Sequence, residues 1–148
     1  MASTYVRADA AIIARQISAA LTARDLSEPA NTARAFRRFI QLADNLAAET
    51  GLARHSLTLA EPAPVLDQQG HSSEHPAHWD AAIAALCEYR LNEESLPVPA
   101  WIRARAGTPD SPWSPRTSIY DIPADLTQVP PQFLSRGILI EAAALESA

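Results

Sequence analysis

The chain has 148 residues, of which 47% are hydrophobic and only 6% aromatic, and a formal net charge of -5. All twelve basic residues are arginine, so the chain lacks the amine that Schiff bases, P-loop and kinase lysines and serine–lysine dyads require. The acidic balance weighs against general nucleic-acid binding, and the single cysteine, Cys87, excludes an internal disulfide and fits a reducing compartment.

This length suffices for one ordinary domain over 1–148. Much of the apolar content is alanine, whose methyl adds little transfer energy. The core therefore leans on Phe36, Phe39, Trp79, Trp101, Trp113 and Phe133. The opening "MASTYVRADAAIIARQ" breaks its apolar residues with Arg7, Asp9 and Arg15, which no signal peptide does. No apolar run reaches the length of about eighteen residues that a bilayer demands. A soluble, cytoplasmic protein is expected.

Val6, Ala10, Ile13, Ile17 and Leu21 recur at helical spacing and predict a first helix from Thr4 to Arg24, with Thr4 as N-cap. A second helix follows, with Ser27 as cap, Pro29 in the first turn and Gly51 just past the end. Its apolar face is Phe36, Phe39, Ile40, Ala43, Leu46 and Ala47; Arg34, Arg38, Gln41 and Asn45 lie opposite. These two helices form an N-terminal part, 1–50. Residues 51–77 read as a long connection, either mobile or functional, in which "ARHSLTLA" makes at most a short helical turn.

The third helix is predicted from Pro76 to Asn92, with Trp79, Ile83, Leu86 and Arg90 on one side and Ala82 and Tyr89 widening that face. "SLPVPAW" forces extended backbone, because each proline biases its predecessor away from helix. From Ile102 the chain is irregular and proline-rich. Near its end Pro130 and Pro131 open a short helix, Gly137 closes it, "ILI" has the character of a short strand, and "EAAALES" is a last turn. The fold class is mainly α: three main helices with an irregular, proline-rich C-terminal half and a short strand.

"GHSSEHPAHWD" holds three of the four histidines, and His71, Glu74 and His75 spell H-x-x-E-H. An inverted zincin needs these on one rigid helix, so that two imidazoles share a zinc and the carboxylate activates its water. Pro76 disfavours helical geometry at His75, so the segment is read as a polar loop leading into the third helix. A loop metal site using His71, His75, His78 and Asp80 stands as the minority alternative.

Arg34, Arg37 and Arg38 crowd one surface of the second helix, and no acid falls three or four residues from any of them. Their relief must come from solvent, from internal acids such as Glu93 and Glu94, or from an acidic partner. With Gln41 they form the candidate partner-binding set. Trp101 and Trp113 flank "IRARAGTPDSPW"; pinning that segment to a helical core is favoured over stacking on nucleobases. Cys87, with no basic activator nearby in sequence, reads as a small core residue. No G-x-S-x-G, G-x-G-x-x-G or C-x-x-C occurs, and neither catalysis nor a cofactor is expected.

The second half also resembles a helical domain of actinobacterial and proteobacterial proteins related to toxin–antitoxin modules. The resemblance is carried by Trp79 and Asp80, by the "LPVPAW" turn (Leu96, Pro97, Pro99, Trp101), by Pro112 and Trp113, and by Pro131, Phe133, Arg136, Gly137, Ile138 and Ile140. It implies an antitoxin or regulator that acts by protein–protein contact. Members of that group often carry an upstream helix-turn-helix or are encoded beside a nucleotidyltransferase-like toxin. Helices one and two offer no recognition helix for DNA, which leaves partner binding. The resemblance also implies a polar loop ahead of Trp79, without a regular histidine pattern. The expectation is a non-catalytic interaction module whose partner is a cognate toxin or another acidic protein. The alternatives are a DNA-binding regulator of its own operon and a histidine-loop metal-binding enzyme.

Overall fold

The computed structural model describes residues 7–23, 28–66, 74–115 and 123–146. It is mainly helical, as the apolar spacing predicts. The first helix, α1 (Ala10–Thr22), begins at Asp9, whose carboxylate accepts the Ile12 N–H at 2.8 Å. Aspartate ranks among the best N-caps, so the helix starts there; the expected cap Thr4 lies outside the described residues. Ala10, Ile13, Ala14, Ile17 and Ala20 are buried.

The second helix, α2 (Glu28–Ala48), carries Pro29 in its first turn as expected, and Ser27 lies outside the described residues. Its buried side is Ala35, Phe39, Leu42, Ala43 and Leu46, with Phe36 and Ile40 at the margin. Two assignments to its faces are corrected. Ala47 is exposed, and Asn45 is buried: its Nδ2 donates to the Ala8 carbonyl at 3.0 Å and its Oδ1 accepts from Gln41 at 2.8 Å. An amide that satisfies both ends can sit inside, and it ties α2 to the chain just before α1.

Gly51, with φ +56°, does not simply follow α2. It starts a third short helix, α3 (Gly51–Ser56), and its N–H donates to Glu94 at 2.9 Å. The next stretch is fastened to the helices rather than hanging as a long loop. The Leu57 carbonyl accepts from Ala10 N–H (2.9 Å), the Thr58 carbonyl from Trp101 Nε1 (2.7 Å) and the Pro62 carbonyl from Arg105 Nη2 (2.6 Å). Val65 N–H donates to Asp80 and Leu66 N–H to Ser18. Side-chain donors and acceptors from other elements do here what a ladder does in a sheet. Over 51–66 the connection thus holds a short helix and hydrogen bonds to α1, α4 and α5.

The central helix, α4 (Glu74–Asn92), begins two residues before the expected Pro76. Pro76 lies in its first turn, where a missing N–H removes no intrahelical bond. The argument that Pro76 keeps His75 out of a helix is therefore corrected: the His75 backbone is helical. Every residue from Ala81 to Cys87 is buried, on all sides of the helix and not on the single face expected. A helix apolar all round belongs in the middle of a bundle, and its alanines let α1 and α2 approach closely.

Extended Leu96–Pro99 leads to α5 (Ala100–Ala104), so Trp101 and Ile102 are helical and buried. The predicted C-terminal helix is α6 (Pro131–Leu134), after which Gly137 turns with φ +74°. The segment "ILI" is not a strand: a lone parallel bridge joins Trp113 to Ile138, and no described residue belongs to a strand. Single-turn 3₁₀ helices occur at Leu126–Gln128 and Ala142–Leu145. One buried cluster runs from Ala10 to Leu145; within it Phe39 meets Trp79 and Phe133 edge-on, with centroids 6.0 and 6.4 Å apart. Among the described residues no helix is long and apolar enough to cross a membrane.

Candidate partner-binding surface

Two sets among the described arginines contrast. Arg54, Arg90 and Arg136 are buried, at 6%, 4% and 5% exposure. Arg54 donates through Nη1 to the Arg90 carbonyl (2.7 Å) and through Nε to the Glu49 carbonyl (2.9 Å), and pairs with Glu93 and Glu94. Arg90 shares Glu93 at 3.1 Å. Arg136 donates to the carbonyls of Ile102, Arg105 and Gln132 and pairs with Glu88 at 3.0 Å. Buried guanidinium is tolerated because the planar fork reaches several acceptors at once. Glu93 and Glu94, candidate partners for the arginines of the second helix, are engaged here instead.

The second population is the predicted set. Arg37, Arg38 and Gln41 are exposed and Arg34 is half-buried, on the side of α2 away from Phe39 and Leu42. No described residue forms an ion pair or hydrogen bond with Arg34, Arg37 or Arg38. Gln41 is braced by Asn45 at 2.8 Å. The helix thus holds three like charges in one patch with no ion-pair partner among the described residues, where spacing of three and four residues makes them repel.

The histidine segment is only partly described. His71 lies outside the described residues, as does the His75 side chain. His78 is buried, its Nε2 3.1 Å from Thr108 Oγ1 and its ring 5.2 Å from that of Trp113. Asp80 accepts the Val65 N–H at 2.9 Å and lies 4.0 Å from Arg105. Burial raises its carboxyl pKa against the opposing pull of that N–H and of Arg105. Among the described residues no three His, Cys, Asp or Glu side chains gather as metal ligands would.

Cys87 is sealed in α4, and burial pushes its thiol pKa up to about 12 despite the charges of Arg105 and Arg136. A thiol held in that form is a poor nucleophile. Trp101 is buried with Arg105 over its ring at 4.9 Å, and Trp113 packs edge-on to Trp79 at 5.2 Å, so both tryptophans anchor the irregular half as expected. A shallow groove of about 240 Å³ is lined by Phe36, Ser114, Leu139, Glu141 and Ala144 among others. Sequence reading missed this groove, whose walls are brought together from α2 and from three separate C-terminal stretches. No protein-family model, curated protein or solved structure matches the chain.

Proposed function

We propose that the chain is a non-catalytic interaction module that docks on an acidic surface of a partner protein through Arg34, Arg37, Arg38 and Gln41. The observation that carries this reading is the division of the arginines. Those inside the fold have acids and carbonyls around them, while Arg34, Arg37 and Arg38 have no ion-pair partner among the described residues. Opposed carboxylates would relieve the repulsion, and steering between opposite charges speeds encounter. The resemblance of the second half to toxin–antitoxin-associated domains supports a specific partner: a nucleotidyltransferase-like toxin whose acidic, metal-binding cleft the patch covers. Such a role needs no cofactor in this chain.

The test is co-expression with the product of the adjacent gene, followed by affinity capture and gel filtration. A stable complex that is lost in the Arg34→Glu, Arg38→Glu double variant is expected. A complex that survives the double charge reversal at full strength removes the arginine patch from the interface.

A further inference from the structure

Arg37 and Asp44 are opposite charges on the outer side of α2. Neither forms an ion pair or hydrogen bond with a described residue. At ~100° and ~1.5 Å per residue, their spacing of seven leaves them only ~20° apart around the helix but ~10 Å apart along it, too far to meet. Arg34 and Arg38 lie farther round, ~80° and ~120° from Asp44. The midpoint between Arg37 and Asp44 falls between Ile40 and Gln41, and Ala33 and Ala48 continue the same face at its two ends. Arg37, Gln41 and Ala48 are exposed, while Ala33, Ile40 and Asp44 are half-buried.

We propose that this face of α2 pairs with the α2 of a second copy of the chain, as an antiparallel two-fold dimer held by two Arg37–Asp44 bridges. Charge complementarity selects the occupant. With a two-fold axis between Ile40 and Gln41, Arg37 stands against the copy's Asp44, and Asp44 against the copy's Arg37. The same register sets Ala33 against Ala48 at both ends, where small side chains let the helix axes approach, and brings Ile40 and Gln41 to their own equivalents at the axis. Such a contact is isologous and closes at two copies. A single helix pair is small for a specific interface, so the dimer exchanges with monomer. The inference goes beyond the docking reading and does not rest on it, because it concerns this chain alone. Pairing takes Arg37 and Gln41 and leaves Arg34 and Arg38 on the flank.

Sedimentation equilibrium of the full chain at low salt, over a range of concentrations, reads the pairing. Arg37→Glu or Asp44→Arg alone sets like charges against each other twice, and each should raise the dissociation constant about tenfold. The Arg37→Glu, Asp44→Arg double variant restores opposite charges and should recover the dimer. The Arg34→Glu, Arg38→Glu variant should keep it, so lost capture of a partner and lost pairing are separate results. Circular dichroism establishes that each variant is folded. Should a charge variant fail to fold, Gln41→Cys gives a second reading: close to the axis, it should cross-link to its copy under mild oxidation. Arg38→Cys, also exposed but on the flank, should not, and buried Cys87 takes no part. The proposal is overturned by a parent that stays monomeric at every concentration, or by a dimer that neither single reversal weakens. A swap that fails to restore pairing, pairing that depends on Arg34 and Arg38 instead of Arg37, or equal cross-linking at positions 41 and 38 overturns it as well.

Discussion

Arg136 Nη1 lies 3.0 Å from Glu88 Oε1, across 48 residues of sequence. The pair joins the turn after α6 to the middle of α4. The same guanidinium holds the Arg105 carbonyl at 2.7 Å and the Ile102 carbonyl at 3.1 Å, so one side chain gathers α4, α5 and α6. Without it, three backbone acceptors and an acid lose a common donor.

Arg136→Met is accordingly expected to destabilise the fold by about 3 kcal/mol or more, the scale for removing one partner of a buried ion pair. Glu88→Gln keeps an acceptor within reach of Arg136 at a partly exposed position, and should cost about 1 kcal/mol. Urea denaturation followed by circular dichroism measures both. Equal losses would mean that the carbonyl bonds contribute little.

Two glycines separate backbone conformation from crowding. Gly51 has φ +56° and open space around a built Cβ; Gly137 has φ +74°, and its Cβ would lie 2.6 Å from the Thr108 carbonyl oxygen. Gly51→Ala should cost about 1 kcal/mol, the left-handed penalty by itself. Gly137→Ala should cost several times that, because the Thr108–Pro109 backbone must retreat and with it the Trp113–Ile138 bridge. Matched thermal melts rank the two; a Gly137→Ala protein as stable as Gly51→Ala would show that this crossing is loose.

Asp80 gives a pH dependence with a defined sign. Its folded-state pKa is raised above the ordinary 3.8, so between those two values the folded chain binds more protons than the unfolded one. Stability from this group therefore falls as pH rises through that window. Asp80→Asn keeps an oxygen for Val65 N–H and removes the charge. The stability of the variant relative to the parent should increase from acid to neutral pH. Denaturant midpoints across the range report it, and a difference that declines instead would mean that the attraction of Arg105 outweighs burial.

The helices were legible because they are local: apolar residues three and four apart, a proline in the first turn of α2, and Pro131 and Gly137 bracketing α6. What escaped were interactions whose partners lie far apart in sequence. Arg90 shares the apolar side of the third helix with Trp79, Ile83 and Leu86, but the acceptors that let Arg54 and Arg90 stay inside include backbone carbonyls 36 and 55 residues away, which the local sequence does not show. Asn45 looked like a surface residue because periodicity records polarity and not the Ala8 carbonyl that satisfies it. The start of α4 was misplaced by treating Pro76 as a breaker, when a first turn accepts it. "ILI" has strand-forming side chains but, among the described residues, makes a single bridge, from Ile138 to Trp113, and propensity without a partner strand does not make a sheet. The arginine patch was visible because its defining feature, three like charges on one helical surface without local acids, is itself local.

That patch also predicts a separation of stability from binding. Arg37 and Arg38 are exposed and Arg34 half-buried, and none makes a bond to a described residue whose loss would cost the fold. Arg34→Glu places a carboxylate three residues before Arg37, while the two new acids, four residues apart, repel as the arginines there do, so the net change along α2 is small. The Arg34→Glu, Arg38→Glu protein should unfold within about 0.5 kcal/mol of the parent while its hold on an acidic partner falls sharply. Cys87 supplies an internal check that the core has not moved. With its thiol buried and its pKa pushed up to about 12, it should resist a thiol reagent at neutral pH in parent and variant alike, and react only in denaturant. A double variant whose Cys87 reacts without denaturant would show that charge reversal opened the bundle, and lost binding in that protein would then report unfolding.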